Sequence, residues 1–178
     1  MSDQSISLVP NLSKYPDREK KASEILDWLI NEKIIENSLS DCTLGGPGYR
    51  FMKNAEKIII GYPRIGDLVT QGLEISIEKQ VYHAGDSGLD SILCPNCKKN
   101  TLDEELEMIS QWFEADSSIV KCFLCDYESD INDFEFSPTF GFSNLGFTFW
   151  NIQELTDDFV KTFEEKLDCK LKIVYTHI

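Results

Sequence analysis

Basic residues are scarce in this sequence. Its 17 Lys and Arg face 31 Asp and Glu, for a formal charge of −14. That deficit excludes sequence-blind attraction to nucleic acid or to anionic lipid, both of which need a positive surface. The charge match that remains is a basic protein partner. Long apolar runs are missing too. Runs such as Ile58-Ile59-Ile60 are a few residues long, against the roughly 20 that a bilayer-crossing helix needs, so no membrane partner is expected. The opening MSDQSISLVPNLSKYPDREK has no basic start followed by an apolar stretch. No signal peptide is expected, and the chain reads as cytoplasmic. With 10 Gly and 6 Pro in 178 residues, a low-complexity chain is excluded as well.

In a reducing compartment, six cysteines are thiols, metal ligands or catalytic groups rather than disulfides. Four form two matched pairs, Cys94-Pro95-Asn96-Cys97 and Cys122-Phe123-Leu124-Cys125, separated by 24 residues. A C-x-x-C turn aims two sulfurs at one ion, and two such turns complete a tetrahedral thiolate site of the kind zinc favours. Iron also suits four thiolates, and a redox dithiol is the non-metal alternative. Four ligands leave no position for water. The expected Zn²⁺ is therefore structural, with Cys94, Cys97, Cys122 and Cys125 as its ligands and no catalytic residue. The spacing between pairs leaves room for an inserted element. Thr101-Leu102-Asp103-Glu104 reads as a capping box, and Leu102, Leu106, Ile109, Trp112 and Phe113 recur at helical spacing, an expected packing stripe. Residues 84–136 hold three basic residues (Lys98, Lys99, Lys121) against thirteen acids. Basic loops of the kind that carry a zinc ribbon onto nucleic acid are thus absent from this segment.

The flanking sequence reads as two β-α-β halves. Ile6-Ser7-Leu8-Val9 forms a strand. Asp17 caps a helix carrying Ala22, Ile25, Leu26, Leu29 and Ile30 on one side, with Trp28 at the flank. Residues 41–72 read as an irregular loop with Ile58-Ile59-Ile60 as a buried rung. Leu73 to Glu78 alternate as a strand, extended by Val81 and Tyr82. In the second half, Phe147-Thr148-Phe149-Trp150 is a strand, and Asn151 and Glu154 stand at capping-box spacing before a helix carrying Leu155, Phe159, Val160, Phe163 and Leu167. Leu171 to Tyr175 form the last strand. The expected fold is α+β: a ferredoxin-like β-α-β/β-α-β sandwich with a zinc-ribbon-like subdomain inserted at its central hairpin. The expected divisions are a first half at 1–91, an insert at 92–128 and a second half at 129–178.

Other constellations carry less. Phe134/Phe136, Phe140/Phe142 and Phe147/Phe149 could stack on bases, but 122–153 contain no Lys or Arg, so core packing is expected. Gly45-Gly46-Pro47-Gly48 continues into Tyr49-Arg50-Phe51 without the Lys-Ser/Thr of a phosphate loop. Arg50, Lys53, Lys57 and Arg64 make this segment locally basic. Cys42 with His83 is a formal nucleophile–base pair. Cys169 and His177 suggest nothing further.

Ser40-Asp41-Cys42-Thr43-Leu44-Gly45, the paired knuckles, and Gly141-Phe142-Ser143-Asn144-Leu145-Gly146-Phe147-Thr148-Phe149-Trp150-Asn151 together resemble an uncharacterised bacterial small-protein family. Some of its members are labelled sugar ABC transporter ATPase. The resemblance implies a bacterial source. This chain departs from any ATPase in lacking the Lys-Ser/Thr pair.

The leading expectation is a non-enzymatic acidic binding protein with a structural four-cysteine zinc site, an inhibitor of or immunity partner to a basic protein. One alternative is an enzyme whose site lies near Cys42, His83 and the 41–66 loop. The other is a zinc-ribbon accessory of transcription or RNA machinery, acting through protein contacts.

Overall fold

A computed structural model describes residues 3–62 and 64–178. In chain order the elements are β1 (Gln4–Pro10), α1 (Arg18–Asn31), β2 (Ile35–Ser40), β3 (Gly48–Phe51) and β4 (Gly72–Ser76). There follow β5 (Gln80–Tyr82), β6 (Ser91–Leu93), α2 (Glu105–Glu114), β7 (Ile119–Lys121), β8 (Glu128–Asp130), β9 (Glu135–Ser137) and β10 (Gly141–Ser143). The chain closes with β11 (Gly146–Trp150), α3 (Asp157–Leu167) and β12 (Leu171–His177).

Six strands form one sheet in the order β12-β1-β11-β4-β3-β2, each antiparallel to its neighbours. Strand periodicity sends alternate residues to opposite faces. Ile6 and Leu8 of β1, Phe147 and Phe149 of β11 and Leu73 of β4 share a core with Ala22, Ile25 and Leu29 of α1 and Phe159, Phe163 and Leu167 of α3. Both helices therefore cover one face. Aromatic contacts lock the layer, with Phe147 edge-on 4.9 Å from Phe163 and Trp28 stacked 5.7 Å from Phe159. Each such side chain contributes roughly 1.5–3 kcal/mol by leaving water. The opposite face carries Ser5, Ser7, Thr148 and Trp150, with Ser7 opposite Thr148 and Ser5 opposite Trp150.

The chain leaves this sheet after β4 and returns at β11. Between them β5 pairs with β10, β6 with β9 and β7 with β8. These nested pairs and α2 enclose a second core that includes Ile92, Met108, Trp112, Val120, Ile131, Phe134, Phe136 and Phe142. The closely spaced phenylalanines divide between the two cores: 134, 136, 140 and 142 lie in this lobe, 147 and 149 under the helices.

Three local expectations differ from the structure. Asp17 sits at the start of α1 in a left-handed conformation, φ 49°, and makes no capping hydrogen bond. The capping residue of α3 is Thr156, whose hydroxyl accepts the Phe159 N–H, so the helix starts later than the Asn151/Glu154 spacing suggests. Asn151 instead turns left-handed, φ 51°, and its side chain binds Gln4, Asp3 and Thr70. Residues 41–72 are more regular than expected. They hold β3 and a short 3₁₀ segment, Lys53–Ile58, and Ile59 bridges to Leu155. The β2–β3 pair escapes pattern reading because β2 is an edge strand with four exposed residues in a row.

Candidate metal centre

The two knuckles fold alike. Cys94 lies just past β6, and its carbonyl accepts the N–H of Lys98, which is left-handed at φ 59°. Cys122 lies just past β7, and its carbonyl accepts the N–H of Asp126, left-handed at φ 60°. The N–H of each leading cysteine returns to a carbonyl five residues on, at Lys99 and Tyr127. Each turn thereby aims both of its sulfurs the same way.

The four Sγ atoms of Cys94, Cys97, Cys122 and Cys125 lie within 4.8 Å of one another. Cys94 to Cys125 is 3.8 Å and Cys97 to Cys122 is 4.0 Å. A tetrahedron with metal–sulfur bonds of about 2.3 Å has edges of about 3.8 Å. The cluster can thus hold a metal ion with four sulfurs and no open position. Cys94 and Cys122 are buried, Cys97 and Cys125 half-buried. The N–H of Tyr127 pushes the Cys125 thiol down to about 6, assisted by the Asn96 amide, while burial pushes Cys122 up to about 12. A bound cation reverses the burial penalty, because it favours the thiolate at every ligand.

The lobe exposes acids, among them Asp103, Glu107, Glu114, Asp116, Asp126 and Glu128, and apolar groups. Lys121 is paired with Asp126 at 2.8 Å. On α2, Met108 and Trp112 are fully buried, whereas Leu106 is 79% and Phe113 55% exposed. The expected packing stripe is therefore corrected. Residues 106 and 113 lie two turns apart on the side opposite the buried pair, and they join exposed Ile119, Phe123, Leu124 and Tyr127 of the same lobe. The start of the helical segment also differs: Leu102 N–H is held by Asn100, and the Thr101 hydroxyl turns inward to Ile92 and Met108.

A polar junction ties the lobe to the sheet. The Ser13 hydroxyl donates to Asp130 at 3.0 Å and accepts from Trp112 Nε1 at 3.0 Å and Asn132 Nδ2 at 3.1 Å. Lys79 donates to the carbonyls of Trp112, Phe113 and Ala115 at the end of α2 and lies 4.6 Å over the Trp112 ring. A cation there offsets the negative end of the helix. Sequence reasoning missed both, because long-range partners of Ser, Asn and Lys leave no local pattern.

The remaining singled-out residues lie apart from the sulfurs. Cys42 is fully buried, with its Sγ where a Cβ on Gly72 would fall. His83 is exposed and accepts the Gly85 N–H at Nδ1. Among the described residues no hydrogen bond joins the two. Burial pushes the Cys169 thiol up to about 11, which makes it a poor nucleophile. His177 is exposed at the end of β12. Arg50 is spent on the carbonyls of Leu68 and Val69, and Lys53 on Glu56. Gly45 to Pro47 lie in the connection between β2 and β3, and Gly48 begins β3. Among the described residues no helix is long and apolar enough to cross a membrane. Comparison with protein-family models, with curated proteins and with solved structures finds no match.

Proposed function

We propose that this chain is a non-enzymatic, acidic interaction module whose recognition lobe is stapled by one structural zinc ion. The observation that carries the reading is the closed set of four sulfurs in a lobe that exposes both acidic and apolar side chains. Closed thiolate sites fasten, whereas catalytic zinc sites keep a position for water or substrate. The lobe is a ribbon-like insert between two β-α-β halves of a ferredoxin-like body. The order β12-β1-β11-β4, with the helices on one face, supports that description.

The partner is a basic protein in the bacterial cytoplasm, and the module acts as its inhibitor or immunity protein. Opposite charge speeds encounter and fixes orientation, while exposed Leu106 and Phe113 supply the apolar anchors that charge alone does not. The test uses the metal-loaded protein as bait at low and at moderate salt, beside a Leu106→Ser/Phe113→Ser form. A basic protein recovered by the native bait, released by salt and lost by the double variant, is the expected result. Recovery of no basic protein at either salt overturns the reading. Elemental analysis showing no stoichiometric zinc overturns its metal part.

A further inference from the structure

The sheet face away from the helices carries a cavity of about 200 Å³. Its floor follows from register. Ser7, Thr148 and Glu74 stand side by side across β1, β11 and β4, and Ser5 stands beside Trp150. Tyr82, at the end of β5, and His83 form part of its wall.

Buried polar groups normally find partners, but one of these does not. The Tyr82 hydroxyl lies over Gly146, where any Cβ would collide with it, and has no hydrogen-bond partner among the described residues. Ser76 beside it spends its own proton on Gln80. Ser5, only 4% exposed, adds another hydroxyl to the lining. Ser7 and Thr148 hydrogen-bond each other at 2.8 Å, which leaves lone pairs free to accept.

The wall's charge is equally one-sided. Glu74 accepts the Trp150 indole N–H at 2.9 Å and has no ion pair among the described residues. No Lys or Arg lines the space. His83 accepts the Gly85 N–H at Nδ1. An anion would meet a half-buried carboxylate with no cation to offset it. A cation would meet that carboxylate, several hydroxyl acceptors and the field of a chain of charge −14.

We infer that this cavity binds an ammonium head group, held by Glu74 and the surrounding hydroxyls. A small free amine and a lysine side chain of a polypeptide share that chemistry. The cavity is separate from the outer surface of the metal lobe, so its test bears on neither the metal nor the basic partner proposed above.

The test follows the Trp150 indole N–H by NMR in moderate salt, with putrescine, the peptide Gly-Lys-Gly and neutral inositol as probes. A saturable shift with at least one cation is expected, weakened at least tenfold in Glu74→Gln. Tighter binding of putrescine assigns the site to a free amine, tighter binding of the peptide to a protein-borne lysine. Gly45→Ala is the second variant. Its Cβ would collide with Glu74 Oε1 and push the carboxylate aside, and Gly45 needs no left-handed backbone. The same weakening is expected there, with an unchanged thermal melt. No saturable shift with either cation, binding retained in both variants, or inositol binding as tightly as the cations overturns the inference.

Discussion

Ser13 accepts the indole N–H of Trp112 at 3.0 Å, a hydrogen bond that joins the body to α2 across 99 positions of chain. The same hydroxyl accepts from Asn132 and donates to Asp130, so its full capacity of one donor and two acceptors is used. Ser13→Ala strands the Trp112 and Asn132 donors in a buried setting. An unsatisfied buried donor costs about 1–3 kcal/mol. Urea denaturation should show a loss in that range, with faster hydrogen exchange in α2 and β8 than in β1. An unchanged midpoint would mean that the junction is not holding the lobe.

Metal removal should act locally. Strong chelation or Cys97→Ser is expected to accelerate exchange across 92–128 while β1, β11 and α3 keep their protection, because the metal's binding free energy is folding free energy for the segment it closes. Acid should mimic chelation, since protons compete for the thiolates. Exchange in 92–128 that stays slow after verified metal loss would contradict this.

Glu164 pairs with Lys170 at 2.8 Å and accepts the Leu171 N–H at 3.1 Å, and the two together hold its carboxyl below the usual range. A carboxyl lowered by folding stabilises above its unfolded pKa of about 4.3 and loses that contribution as pH falls through the folded value. Glu164→Gln should therefore lower Tm by about 2–4 °C at neutral pH. The gap between variant and parent should close as pH falls through that folded value. A gap that persists there would assign the loss to packing rather than charge.

Two phenylalanines should behave oppositely. Phe163 is fully buried against Phe147, Phe149, Phe159 and Trp28, and Phe163→Ala should cost about 3–5 kcal/mol by denaturation. Phe113 is 55% exposed, and Phe113→Ala should change stability by about 0.5 kcal/mol or less. Its effect should appear in partner recovery instead. A large stability loss at Phe113 would show it to be a packing residue after all.

The metal cluster was legible because two C-x-x-C turns are local motifs whose spacing dictates where the sulfurs point. The strands β1, β4, β11 and β12 and the helices α1 and α3 were legible for the same reason: period 2 and period 3.6 are local. What escaped was decided by distant partners. Asn151 is a good capping residue by type, but Gln4, Asp3 and Thr70 compete for its side chain, so Thr156 caps α3. On α2 both faces are apolar, and hydrophobicity alone does not say which one the lobe covers. The buried side is set by Ser13 and Lys79, which reach Trp112 from outside the helix. The polar row Ser7–Thr148–Glu74 was hidden because it spans three strands far apart in sequence.

Ser76 and Gly146 face each other in the β4–β11 ladder. Everything between them departs and returns through a doorway one residue pair wide. The excursion nevertheless folds back onto the body, where Tyr82 is buried with Val9 and Val174 and the Ser143 hydroxyl donates to the Leu12 carbonyl. Any replacement for it would have to supply its own lid for Val9 and Val174.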